Sequence, residues 1–151
     1  MNASDVQAAY IKAFPYLMTP VECKDRIYEI VCIEEIENIF LTYCYRHRDM
    51  VFSNEISDCD DFVLQAYADF KWYWSRININ GELTKEKYFK RMYNAHPPIG
   101  MGFGIKFRGR MMKHSIITIY TDPLMYIYDP MQREFYLTDS NLDAVLHVSM
   151  Q

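Results

Sequence analysis

Three side chains have the types that nucleophilic chemistry uses: Cys59, His114 and Asp129. Cys59 lies in SNEISDCDDFVLQAYADF, residues 53–70. Asp58 is a good N-cap, and Asp61 three residues on completes a capping-box-like start for a helix. At a helix N-terminus, unpaired backbone N–H groups and the helix dipole favour a thiolate. His114 falls in MMKHSIITIYT (111–121), whose β-branched residues read as a central strand. Asp129 ends YIYD (126–129), immediately before Pro130. Antiparallel strands joined by the short DPLM turn would set His114 and Asp129 side by side at one sheet end. An aspartate there could accept the imidazole Nδ1–H and turn the ring toward a thiol, the nucleophile, base and orienter arrangement of a cysteine hydrolase.

Blander readings stand beside this one. A cysteine at a helix start is more often a core residue, a strand histidine more often structural, and an aspartate before proline an ordinary turn former. Asp58, Cys59, Asp60 and Asp61 are adjacent, and clustered carboxylates push a thiol pKa upward. A divalent cation held by Asp60 and Asp61 would remove that penalty, whereas simple capping is the commoner use of such a run. His47, His96 and His147 read as surface residues.

Composition narrows the classes. Half the residues are hydrophobic and 16% aromatic, which argues against disorder. A net charge of −4 with no long basic run gives no reason to expect nucleic-acid binding. No apolar run approaches a membrane span, and the start, MNASDVQAAYIKAFPYL, lacks a basic segment followed by an apolar core. A cytoplasmic, reducing location is therefore expected, or the host cytoplasm if the chain is viral. Cys23, Cys32, Cys44 and Cys59 would be free thiols, and without CxxC spacing they do not suggest zinc.

The elements that must position the site follow from periodicity. A first helix capped by Ser4 should reach about Phe14, and FPYLMTP then breaks the chain. RIYEIV (26–31) suits a short strand or a helix lead-in. IEEIENIFLTYCYR (33–46) has helical spacing, with Cys44 in the core. The Cys59 helix should fade near Trp74, with Trp72 and Trp74 as core or interface anchors. NINGEL marks a turn, and TKEKYFKRMYNA (84–95) a short helix or irregular segment. After Pro97 and Pro98 the period changes to that of strands: IGMGFGIKF (99–107), the strand of His114, YIYD, and REFYL (133–137). Gly100, Gly102 and Gly104 share one strand face, for packing against a helix or as the floor of a peptide groove. Lys106, Arg108 and Arg110 read as a solvated hairpin or a contact for an acidic partner. The expected fold is α+β in one domain, residues 1–151, with N-terminal helices and the Cys59 helix packed on a C-terminal antiparallel sheet.

DCDDF followed by a helix, then KHSIITIYTDPLMYIYDPMQ, resembles the papain-like and transglutaminase-like cysteine-hydrolase superfamily over roughly residues 27–137. The resemblance is nearest to the calcium-dependent cysteine-protease domain of fungal chimerolectins and to small phage and bacterial proteins with the same motif. It implies Cys59 as nucleophile, His114 as general base, Asp129 as orienting acid, and calcium near Asp60 and Asp61. It implies hydrolysis of a peptide or amide bond in a protein or peptide substrate, with a phage origin for the chain. Val63, Ser115 and the DPMQ ending depart from the usual pattern. The other expectation is an inactive relative acting as a protein-binding accessory protein. Peptidoglycan amidase activity is a third reading, with no wall-binding repeat to favour it.

Overall fold

Helix α3, Cys59–Trp74, is where local sequence and tertiary packing agree most closely. Asp58 Oδ1 accepts from the Asp60 N–H at 3.1 Å, and Asp61 Oδ2 accepts from the Asp58 N–H at 3.3 Å. That reciprocal pair is the expected capping box. Phe62, Val63, Ala66, Tyr67, Phe70 and Trp74 are buried, at the three- and four-residue spacing of one helix face. The structure is a computed structural model that describes residues 1–44, 58–74 and 96–150. The histidine at 47, the expected turn NINGEL and the segment 84–95 lie outside the described residues.

The face of α3 packs on a six-stranded sheet in the order β1-β6-β2-β3-β4-β5. Its strands are β1 (Glu22–Cys23), β2 (Ile99–Phe107), β3 (Arg110–Tyr120), β4 (Met125–Asp129), β5 (Glu134–Leu137) and β6 (Ala144–Met150). Strands β2 to β5 form the expected meander. Arg108 and Gly109, both at positive φ (48° and 79°), make the tight turn between β2 and β3. Two features differ from expectation. Strand β6 was not foreseen, and β1 pairs with it in parallel, so the sheet is mixed. AVLHVSM has only a weak alternation, and its place between β1 and β2 is set by long-range pairing.

Residues on the two faces of the sheet enter two separate cores. On one face, Val6 and Tyr10 of α1 (Ala3–Ala13) and its C-cap residue Phe14 meet Ile116, Ile127, Val145 and Val148. On the other, α3 and α2 (Ile33–Asn38, extended by a wide turn over Ile39–Tyr43) meet Ile117, Ile119 and Tyr128. Fully burying each such large side chain is worth about 1.5–3 kcal/mol. The cap of α1 is Asn2, whose Oδ1 accepts from Asp5 N–H at 2.9 Å; Ser4 Oγ donates to the same oxygen. The helix over 33–46 is shorter and wider than its spacing suggested. Gly100 and Gly104 pack against neighbouring strands: an added Cβ would lie 2.6 Å from Val148 Cγ1 and 2.5 Å from the Ala144 carbonyl, respectively. Gly102, between them, lines a groove, and an added Cβ there would lie 2.8 Å from Ile116 Cδ1.

Candidate functional site

Strand alternation decides what each residue of β3 can reach. Ile116 and Ile117 enter opposite cores, so His114 and Ser115 also point to opposite faces. Ser115 faces α3, and its hydroxyl donates to Asp60 Oδ1 in the first turn of that helix. His114 is turned to the other side. Its ring meets the Phe107 ring edge-on, with centroids 5.9 Å apart. Its Nε2, not the expected Nδ1, bonds Asp129 Oδ2 at 2.9 Å, with both side chains largely buried. The other oxygen of Asp129 accepts from the Met131 and Gln132 N–H groups at 2.9 and 3.2 Å. Asp129 is therefore both a turn former and the partner of the imidazole.

Cys59 is half-buried, and its thiol donates to Asp60 Oδ1 at 3.8 Å. Among the described residues no hydrogen bond joins Cys59 to His114. The two do line one cavity of about 740 Å³, together with Asp58, Asp129, Arg110 and Lys113. Strand β4 pairs with β3 only over Ile117–Tyr120, so the His114 end of β3 has no β4 partner beside this cavity. The other thiols differ. Burial pushes the Cys44 and Cys23 thiols up, whereas Cys32 is exposed.

A groove of about 510 Å³ lies on the α3 side of the sheet. Its helix wall carries Asp60, Asp61 and Leu64, and its sheet wall carries Phe103, Ser115 and Ser149. Thr19, Glu22 and His147 stand at its mouth, where Thr19 Oγ1 and His147 Nδ1 are 3.0 Å apart. Ser149 Oγ is buried with no hydrogen-bond partner among the described residues. Thr19, Glu22, Ser115 and Ser149 had no signal in the sequence, because β1, β6 and the chain before β1 meet only through long-range pairing. His147 was expected on the surface; it is exposed there, and it also forms part of the groove. His96, expected on the surface, is half-buried with its Nδ1 enclosed, and burial lowers its pKa.

Asp60 and Asp61 are already engaged, with Ser115 and Cys59 and with the cap of α3. Calcium takes about six to eight oxygen ligands. Among the described residues no group of three or more His, Cys, Asp or Glu side chains could hold a metal ion. No helix among them is long and apolar enough to cross a membrane.

No family model matches the sequence, and no curated protein matches it. Solved structures do match. One is titled PSL1a-E64 complex, with 17% identity over 99% of this chain and 51% of that chain, at a TM-score of 0.68. Another is Polyporus squamosus lectin bound to the human-type influenza-binding epitope Neu5Acα2-6Galβ1-4GlcNAc. It is 17% identical over 99% of this chain and 49% of that chain, at a TM-score of 0.67. At that identity the likeness is one of fold, and the chain spans about half the length of the structures it matches. These findings overturn two expectations. The neighbour named as a lectin carries a glycan, and no family model places the chain among papain-like or transglutaminase-like hydrolases. The family assignment is withdrawn, and the peptide- or amide-bond hydrolase function with it. The expected protein or peptide substrate has no support from these matches, nor has the protein-binding accessory role. In the structure the thiol bonds Asp60, and the imidazole bonds Asp129 as expected of that pair.

Proposed function

We propose that this chain binds carbohydrate, in the groove between α3 and the sheet. The observation that carries the reading is the groove's lining. Carboxylates of Asp61 and Glu22 and hydroxyls of Thr19 and Ser149 converge on one concave surface beside Phe103 and Leu64. A sugar presents many hydroxyls and one apolar face. It needs placed acceptors and donors, with an apolar platform beside them. The buried Ser149 hydroxyl, which has no partner among the described residues, supports the reading, since a ligand hydroxyl would satisfy it. The likeness in fold to a lectin solved with a bound glycan supports it further. The test is titration of the protein with glycans, followed by calorimetry and by NMR shifts of groove residues. Saturable binding that is weakened in Phe103→Ala is expected. Absence of any saturable response at millimolar glycan would overturn the reading.

A specific observation favours a second role for the other cavity. Cys59, His114 and Asp129 share it, and Cys23 and Cys44 have raised thiol pKa values. On this reading Cys59 is a modifiable thiol whose reactivity depends on the nearby imidazole. Iodoacetamide with mass-spectrometric mapping should label Cys59 well before Cys23 and Cys44, and more slowly in His114→Ala. An unchanged rate in that variant would leave the imidazole no part in it.

A further inference from the structure

The groove's charge limits what it can hold. We infer that it accepts uncharged, hydroxyl-rich sugars and rejects sugars that carry a carboxylate, with Glu22 and Asp61 setting the choice. This rests on the carbohydrate-binding reading and names the class of sugar. Three carboxylates, Glu22, Asp60 and Asp61, line the groove, and among the described residues no lysine or arginine does. The cations Arg108, Arg110 and Lys113 line the cavity around His114 instead.

Asp60 has spent one oxygen on Ser115 and the thiol, and Asp61 one oxygen on the α3 cap. Their remaining lone pairs, and those of Glu22, are acceptors only. They suit sugar hydroxyls, which donate. A ligand carboxylate offers no proton to them and would meet like charge from three exposed carboxylates, a repulsion that weakens binding and that salt screens. The Thr19 and Ser149 hydroxyls are neutral donors and do not offset the like charge of three carboxylates.

The two ligands that separate the cases are Galβ1-4GlcNAc and the same disaccharide extended by Neu5Acα2-6, the epitope named for the neighbour. Both are titrated at pH 8, where imidazoles carry little charge. The neutral disaccharide should bind about tenfold more tightly than the sialylated trisaccharide at low salt. The gap should narrow at high salt and in Glu22→Gln and Asp61→Asn. Glu22 lies outside α3, so Glu22→Gln still carries the test should loss of the cap prevent Asp61→Asn from folding. Equal or tighter binding of the sialylated ligand would overturn the inference and leave the carbohydrate reading standing. NMR shifts centred on Arg110 and Lys113 instead of Phe103 and Ser149 would also overturn it. Failure of both sugars to bind would overturn the reading, and the inference with it.

Discussion

The groove beside α3 and the cavity around His114 lie on opposite sides of one strand, with one residue step between their chemistries. Ser115 and Asp60 belong to the groove; His114 and Cys59, their chain neighbours, belong to the cavity. The groove is acidic and hydroxyl-bearing. The cavity holds both signs of charge, Arg108, Arg110 and Lys113 with Asp58, Asp129 and Glu134, together with an imidazole and a thiol. Apart from the contact of the Cys59 thiol with Asp60 Oδ1, adjacent residues in the sequence do not pool their chemistry. The pleat of β3 sends alternate side chains to different surfaces, and the cap of α3 touches both.

The most severe way to break this comparison is to empty each core beneath it. Ile116→Ala and Ile117→Ala both delete fully buried side chains and should each cost about 2–5 kcal/mol in urea unfolding. The double variant should lose close to the sum, because the two side chains enter different cores. Strong coupling would mean that the two faces of β3 are not independent.

A step down in size comes from the polar pair on the same strand. His114→Ala leaves Asp129 Oδ2 without its partner in a largely buried place, a loss of about 1–3 kcal/mol. Ser115→Ala removes a hydroxyl from Asp60 and should cost about 0.5–1.5 kcal/mol. If the surfaces are separate, Ser115→Ala alters glycan affinity and His114→Ala does not. The reverse pattern in calorimetry would merge them.

Acid should also act away from both surfaces, at His96. His96 is half-buried between Lys71 and Asp25, and burial, with Lys71 adding to it, lowers its pKa from the ordinary 6.5. A lowered value means that the unfolded chain takes up the proton first. The stabilising contribution is complete above pH 6.5 and is lost as pH falls below it toward the folded value, with a slope of at most about 1.4 kcal/mol per pH unit. Thermal unfolding of His96→Gln should show a shallower decline over that range. An identical decline would place the acid sensitivity elsewhere. The smallest effect belongs to Arg108→Ala. Its ion pair with Glu134, at 2.9 Å, is exposed on both sides and should contribute less than about 1 kcal/mol. It removes a cation from the cavity without touching the groove, so glycan affinity should be unchanged.

Much of the architecture could be read from residues close together in the chain. The cap at Asp58, the apolar face from Phe62 to Trp74 and the meander from Ile99 to Leu137 all follow from short-range patterns. The nearness of His114 to Asp129 was legible from the hairpin, whereas the end of the ladder at Ile117 and the use of Nε2 were not. The placement of Cys59 against His114 did not, because it depends on which face of β3 each residue occupies. A one-residue step in register exchanges the two faces. The groove was not foreseen at all. Its walls come from α3, β2, β3 and β6, and its mouth from β1 and the chain just before it.

That assembly has a consequence for timing during synthesis. Glu22 and Cys23 pair with Ser149 and Met150, across nearly the whole length of the chain. Contacts so distant in sequence form late, after loop closure has been paid in entropy. While the ribosome is still translating, α1 and the meander can begin to associate, yet β1 has no strand to join. The mouth of the groove at Glu22 and its buried hydroxyl at Ser149 become neighbours only after β6 has left the exit tunnel. A nascent chain stalled before residue 144 would therefore carry the capped start of α3 and the His114 strand without a groove to bind anything.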